Sequence, residues 1–150
     1  MNTYLLTLLF FLIILIFGFA NVLVKDGFDK KEAEIKINGA VFQIEIADSF
    51  LERQKGLSNR KNLGDDKGML FVFPLAANYS FWMKDMNFPI DIIWLKGDRV
   101  VGISENLAPD NSKLLKIYYP PENIDKALEI SAGAAMRKGI KIGDQIEIKK

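Results

Sequence analysis

The sequence predicts a mainly β protein, a β-sandwich or barrel that carries two short helices and follows an N-terminal hydrophobic helix. Short runs of apolar or alternating residues recur between residues 34 and 149, and turn-forming residues separate them, as is typical of such folds. Helix signals are confined to two short stretches of this region. Residues 1–24 contain no charged side chain, so every Lys, Arg, Asp and Glu lies in the part of the chain that follows.

The apolar N-terminus has two main interpretations. Residues 4–24 match the ~20 residues that a membrane-spanning helix needs, and we expect them to form a retained anchor. Cleavage near Ala20, after a small-x-small sequence, is the alternative, and a buried helix is a third. Basic residues follow this run instead of preceding it, against the usual pattern for export, so orientation is weakly determined. We expect the domain on the extracytoplasmic side, or secreted if cleavage occurs.

These observations divide the chain into three parts. We predict an anchor or signal segment at 1–24, a linker at 25–31 and a β domain at 32–150.

The β domain begins with a hairpin and a short helix. Asn38-Gly39 lies between two alternating runs, and both residues tolerate the positive φ that a two-residue hairpin turn requires. Ser49 with Glu52 three residues later forms a capping-box pattern, which predicts a helix from Phe50 to Lys55, with Gly56 at its C-terminal end.

The remaining elements follow from short apolar runs and their breakers. Residues 68–73 are continuously apolar up to Pro74, which indicates a buried strand. Residues 106–123 have no clear period and predict a long surface loop. A second short helix is expected at 132–138. The other predicted strands lie at residues 79–83, 90–95, 100–104, 127–131 and 145–149.

Several motifs in a fixed order resemble those of the DUF192 family, bacterial and archaeal domains of uncharacterised function. They are AxxxxERxxGL from Ala47, GMLFVF at 68–73, SFWMKDM at 80–86, PIDIIWL at 89–95, LEISAG at 128–133 and GIKIGD at 139–144. The resemblance covers residues 34–148 and implies a mainly-β, jelly-roll-like fold, often behind an export or anchor segment, with no established reaction. Ser58 and Asp85-Met86 depart from the usual family residues, Met and Asn-Thr.

The composition excludes several kinds of chemistry. Without Cys or His, a disulfide, a Cys nucleophile, a His-ligated zinc and a serine–histidine relay are all ruled out. No other metal-ligand spacing or phosphate-binding loop is present, so we expect no metal and no cofactor. The net charge of +1 gives no reason to expect nucleic acid as a partner.

Four residues in the densest motifs suit ligand binding. Arg53 and Arg60 each offer a planar fork to a carboxylate, phosphate or sulfate. Trp82 offers a stacking platform if it lies on an open face, and Lys84 adds a positive charge beside it. The structural alternative is that the arginines pair internally, with Glu52, Asp85 or Asp91 for example, and that Trp82 belongs to the core.

Asp91 begins an apolar strand, where a carboxylate must be paired, hydrogen-bonded or shifted in pKa. It is therefore the one catalytic candidate, as a general base, and also a candidate ligand-binding residue. The alternative is that it fastens the Lys84–Pro89 loop by accepting backbone N–H bonds.

Three functions remain open, and the sequence favours binding over catalysis. The leading hypothesis is a membrane-anchored or exported domain that binds a small anionic or carbohydrate-like ligand through Arg53, Arg60, Trp82, Lys84 and Asp91. The second is a cell-envelope hydrolase in which Asp91 acts with Asp85 or Glu129 as paired carboxylates. The third is an envelope protein-interaction module that uses the 106–123 loop. The sequence leaves the oligomeric state open.

Overall fold

The computed structural model describes residues 31–149. The nine strands of this part are β1 (Glu32–Ile37), β2 (Ala40–Ala47), β3 (Lys67–Ala77), β4 (Phe81–Trp82), β5 (Ile90–Lys96), β6 (Arg99–Leu107), β7 (Ile117–Tyr118), β8 (Ile124–Ser131) and β9 (Ile146–Lys149). The two helices are α1 (Phe50–Lys55) and α2 (Ala134–Arg137). The predicted anchor at 1–24 and all of the linker except Lys31 lie outside the described residues. Within 31–149, no helix has the length and apolar character needed to cross a membrane.

Local sequence signals explain the first elements. Ile37 pairs with Ala40 across the Asn38-Gly39 turn, whose φ angles of 48° and 81° are both positive, so the predicted hairpin is confirmed. The capping box at α1 is also confirmed: Ser49 Oγ accepts from the Glu52 backbone N–H, and the Glu52 carboxylate accepts from the Ser49 N–H at 2.8 Å.

Seven strands form one curled sheet in the order β6-β5-β8-β3-β2-β1-β9, and β4 pairs with β7 separately. The β2–β3 pair is parallel and the other pairs are antiparallel. The two edges of the sheet meet at one end, where Arg99 bridges to Gln145 and the Ile146 N–H donates to the Asp98 carbonyl. The mainly β class with two short helices is thus confirmed for residues 31–149. Its architecture is a half-barrel formed by one curled sheet instead of two stacked sheets.

The sheet buries a separate hydrophobic core on each face. On the concave side, Leu70, Ile93 and Leu128 pack with the side chains of β1, β2 and α2. On the outer side, Phe71 and Trp94 pack with Phe81 of β4 and with residues of the segments before β3 and after β4. The central strands β3 and β5 are covered on both faces, which matches their long apolar runs at residues 69–73 and 92–95.

Some boundaries differ from the prediction for identifiable reasons. Pro74 does not end β3, because a register shift between Val72 and Ala77 accommodates a residue without an N–H. The predicted strand at 79–83 shortens to β4. The 106–123 loop contains the two-residue strand β7, which pairs with β4 over the outer core.

Candidate functional site

A cavity of about 410 Å³ opens on the outer face of the sheet, between α1, the end of β3 and β4. Its walls are formed by α1 and the residues after it (Phe50, Arg53, Gln54, Lys55, Gly56, Leu57, Ser58), by β3 and the turn to β4 (Phe71, Phe73, Pro74, Tyr79, Ser80, Phe81, Trp82), and by Met86 and Glu129. This volume lies within the range of small-molecule sites.

Aromatic side chains form much of the wall. The rings of Phe73 and Tyr79 stack with their centroids 3.7 Å apart. The ring of Phe81 packs edge-to-face on those of Phe71 and Trp94, each with a centroid separation of 5.2 Å. Such mutual packing fixes the orientation of the rings, so the apolar wall is pre-formed.

Glu129 is the carboxylic acid in this wall, and it is the unusual group of the site. It lies in β8, directly opposite Met69 and Ile92 on the neighbouring strands, and only 6% of its surface is exposed. Its Oε2 atom is buried without a hydrogen-bond partner among the described residues. Burial raises the pKa of Glu129 to about 8, and the nearby Arg60 charge lowers it in part. The group is therefore mostly a neutral acid at pH 7, able to donate a hydrogen bond.

Arg60 has a carboxylate partner that the sequence did not indicate. Its two Nη atoms lie 2.5 and 2.8 Å from the two carboxylate oxygens of Glu45 on β2, a bidentate pair. The hydrogen bond to Glu45 raises the pKa of Arg60, against the effect of burial. Internal pairing is thus what the structure shows for Arg60, with Glu45 instead of Glu52, Asp85 or Asp91. Arg60 is not among the cavity-lining residues.

Arg53 lines the cavity and keeps its charge free of any carboxylate within residues 31–149. Its Nη1 donates to the carbonyls of Asp48 at 2.5 Å and Val72 at 2.9 Å, and the guanidinium lies over the Phe73 ring, 5.3 Å from its centroid. These contacts hold α1 against β3 and place in the wall a positive charge that has no ion-pair partner among residues 31–149.

The Trp82–Lys84 segment separates its side chains between surface and core. Trp82 is 44% exposed and lines the cavity, whereas Met83 is buried in the outer core, as alternation along a strand requires. Lys84 is exposed and outside the lining, and its carbonyl accepts from the Ser58 hydroxyl at 3.3 Å. The ring of Trp94, in contrast, is buried and its Nε1 donates to Ser104.

Asp91 lies on the concave side and fastens the backbone. One carboxylate oxygen accepts from the N–H groups of Asn106 and Gly133, at 2.8 and 3.0 Å, and the other accepts from that of Ala135 at 3.0 Å. The alternative that Asp91 accepts backbone N–H bonds is therefore confirmed. The segments it fastens are the end of β6 and the start of α2, and the expectation of the Lys84–Pro89 loop was wrong.

The five predicted ligand-binding residues do not line one concavity. Arg53 and Trp82 border the cavity, Arg60 is held by Glu45 beside it, Lys84 is outside the lining, and Asp91 is on the opposite face of the sheet. Sequence reasoning considered Glu129 only as a partner in the hydrolase alternative. An acid between Leu128 and Ile130 in an apolar strand was the signal for a buried carboxyl.

Comparison with known proteins agrees with the motif resemblance. The DUF192 family model, described as an uncharacterized ACR, matches residues 33–148. The UPF0127 protein TK1120 of Thermococcus kodakarensis is 30% identical over 106 residues, a match that covers 69% of this chain and 63% of that relative. The chain thus spans less than two thirds of the relative's length.

Two crystal structures share the fold. A Novosphingobium aromaticivorans protein of unknown function is 32% identical with a TM-score of 0.74, covering 83% of this chain and 90% of its own. A Sinorhizobium meliloti protein described as a candidate transcription regulator is 26% identical with a TM-score of 0.71, covering 79% and 95%. Since the family model matches most of the sequence, this chain belongs to the DUF192 family.

Proposed function

We propose that this DUF192 domain binds a small organic anion with an apolar, aromatic or sugar-ring body in the outer cavity. The observation that carries the proposal is the combination of an aromatic wall with the buried Glu129 carboxyl, whose Oε2 lacks a partner among the described residues. Leaving a buried polar atom unsatisfied costs about 1–3 kcal/mol, and a bound ligand that pairs with it would recover this cost.

The charges of the cavity favour an anion. Arg53 and Lys55 both line it, and neither forms an ion pair within the described part of the chain. Glu129 is the one acid in the lining, and its raised pKa keeps it mostly neutral at pH 7. A ligand's negative group would thus meet two cations and a hydrogen-bond donor, while its body packs on the rings or stacks on Trp82.

The two alternatives receive less support. A two-carboxylate hydrolase needs a second acid beside the substrate, but Asp91 faces the other side of the sheet and accepts three backbone bonds. Asp85 is not among the lining residues. An interaction module remains a hypothesis for residues 106–123, where Leu114 is almost fully exposed. Deletion of this loop with retention of all partners would argue against it.

The proposed location is the extracytoplasmic side of a membrane, with residues 4–24 as anchor. Its support is the uncharged apolar sequence of that segment. Mass spectrometry of the mature protein tests it: an N-terminus at Asn21 would replace the anchor with a cleaved signal peptide.

A matched pair of dyes tests the binding site in the full-length protein. 8-Anilinonaphthalene-1-sulfonate carries an anionic group on an aromatic body, and N-phenyl-1-naphthylamine has the same kind of body without the charge. We expect the sulfonate dye to bind more tightly, and Arg53→Gln with Lys55→Gln to reduce its affinity about tenfold while leaving that of the neutral dye unchanged.

The control for this experiment is Lys141→Gln, which removes an exposed charge outside the cavity. Equal affinities for the two dyes, or an equal loss of sulfonate affinity in Lys141→Gln, would contradict the proposal.

A further inference from the structure

Large apolar side chains are exposed around the cavity. Phe50 is 70% exposed and Leu51 60% on α1, Leu75 is 75% exposed at the end of β3, and Trp82 is 44% exposed on β4. Phe50 and Trp82 line the cavity, and Leu51 and Leu75 adjoin the lining residues Phe50 and Pro74 in the chain. We call these four residues the rim. Exposed apolar residues of this size, at a cavity or next to its lining residues in the chain, indicate a contact surface.

The chain enters the described domain beside the rim. The Lys31 carbonyl accepts from the Ile46 N–H, and its ammonium group lies 2.7 Å from the Asp48 carboxylate. Asp48 is two residues before Phe50, so Lys31, the first described residue, lies next to the start of α1. Lys31, to which residues 25–30 connect the uncharged run, therefore lies on the side of the domain that carries the rim.

The linker before Lys31 is short, and its length limits the distance between the rim and the uncharged run of residues 1–24. Six residues, 25–30, separate the uncharged run from Lys31. Even fully extended, they span about 20 Å. If residues 4–24 cross a bilayer, α1 is consequently held close to the lipid headgroups.

The charge beside the rim suits an anionic surface. Arg53 and Lys55 lie on the same helix as Phe50 and Leu51, and neither has an ion-pair partner between residues 31 and 149. Aromatic and aliphatic side chains next to unpaired basic residues are the composition that binds anionic bilayer surfaces.

We infer that the rim rests on the surface of a bilayer containing anionic lipids, so that the cavity opens toward the headgroups. This inference rests on the proposed anchoring of residues 4–24 and adds a second contact that the anchor alone does not provide. It also makes a membrane-derived amphiphile the natural source of an anion with an apolar body.

Trp82 is a built-in reporter of this contact. The full chain is reconstituted into vesicles of phosphatidylcholine and phosphatidylserine, with or without a nitroxide group on the lipid headgroups. The emission of Trp82 is obtained as the difference between the wild type and Trp82→Phe, because Trp94 is buried in the core. We expect the nitroxide vesicles to quench most of the Trp82 emission and little of the Trp94 emission.

The rim variant Phe50→Asp with Leu51→Asp should stay with the sedimented vesicles and regain Trp82 emission. Its matched control is Met136→Asp with Ile142→Asp, which removes two similarly exposed apolar side chains that do not line the cavity. This control should remain quenched. Leu75→Asp, on β3 instead of α1, provides a second rim variant in case the double change unfolds the helix, and unchanged Trp94 emission reports the fold.

Two outcomes would overturn the inference. A wild-type protein that sediments with the vesicles while Trp82 stays unquenched is anchored without rim contact. A wild-type protein that does not sediment lacks both the anchor and the rim contact. Neither result affects the dye-binding test of the cavity, so failure of the rim and failure of the ligand site are distinguishable.

Discussion

Two buried carboxyl groups on neighbouring strands have opposite surroundings. Asp91 on β5 lies opposite Ile130 and points to the concave core, whereas Glu129 on β8 lies opposite Ile92 and points to the outer face. Asp91 accepts three backbone N–H bonds, and Glu129 has an Oε2 atom without a partner among the described residues.

The difference shows that burial alone does not identify a functional carboxyl. The bonds of Asp91 connect β5 to the end of β6 and the start of α2, so its role is accounted for within the fold. Glu129 is desolvated as well, but its Oε2 atom accepts no hydrogen bond from the described residues that would offset this cost. Glu129 also lines the cavity. The partners of each group, not its depth, distinguish a fastening residue from a candidate ligand contact.

The largest expected change in stability comes from removing Asp91, the carboxylate whose hydrogen bonds are satisfied within the fold. Asp91→Ala should lower the free energy of unfolding by about 4 kcal/mol, because three backbone donors lose a charged acceptor. Asp91→Asn keeps one oxygen acceptor and should cost about half as much. Urea denaturation measures both variants. A loss below ~1 kcal/mol for Asp91→Ala would remove the contrast between the two acids.

Glu129→Gln should raise the free energy of unfolding, whereas Asp91→Ala lowers it. The folded-state pKa of Glu129 is about 8, above the ordinary glutamate pKa of 4.5. Between these pH values the folded protein holds a proton that the unfolded chain has released, so the stability falls by ~1.4 kcal/mol per pH unit as pH rises. Glu129→Gln removes this dependence and should be roughly 3 kcal/mol more stable than the wild type at pH 7.

Denaturation between pH 4 and pH 9 checks this second prediction. Below the unfolded-state pKa the two proteins should be about equally stable, and the gap should stop widening above the folded-state pKa of about 8. Glu147→Gln on β9, an exposed acid, is the control and should follow the wild-type curve. Parallel curves for the wild type and Glu129→Gln would show that Glu129 is ionised in the folded protein.

Arg60→Gln should change the free energy of unfolding least of the three variants. It also tests the pKa of Glu129, because Arg60 lies close enough to affect it. Loss of the bidentate pair with Glu45 should cost about 1 kcal/mol at this partly exposed site. Since the Arg60 charge lowers the pKa of Glu129, its removal should move the upper end of the pH-dependent range to higher pH.

The exposed Arg137, which lies 3.7 Å from Asp65, offers the matched control for Arg60. Arg137→Gln should leave both the stability and its pH dependence nearly unchanged. An equal shift in both variants would indicate a general charge effect instead of a specific one.

Local sequence patterns predicted most helices and strands. They failed at boundaries that depend on pairing with distant segments. The Asn38-Gly39 turn and the Ser49 capping box were predictable because their bonds join residues within a few positions of each other. Pro74 was expected to end β3, yet the strand continues to Ala77 because its partner β8 shifts register there. Strand β7 was missed because its two residues are stabilised by pairing with β4, a distant segment.

The site was predictable in composition but not in arrangement. Arg53 and Trp82 were chosen by residue type, and both line the cavity. Arg60 was expected to pair internally or bind a ligand, but its partner Glu45 lies 15 positions earlier, on a strand that only the sheet brings near. The sequence pattern predicts that Asp91 lies in a strand, but it does not predict which face of that strand packs against α2.

The sequence by itself determined the β class, the first hairpin, the α1 cap, the family and the absence of His and Cys chemistry, because these depend on residue type and short-range spacing. The parallel pairing of β2 with β3, the meeting of the two sheet edges and the faces taken by Asp91 and Glu129 were decided by the tertiary structure. Non-local pairing sets which side of a strand is covered, and a carboxyl becomes a fastener or an unsatisfied acid according to what covers it.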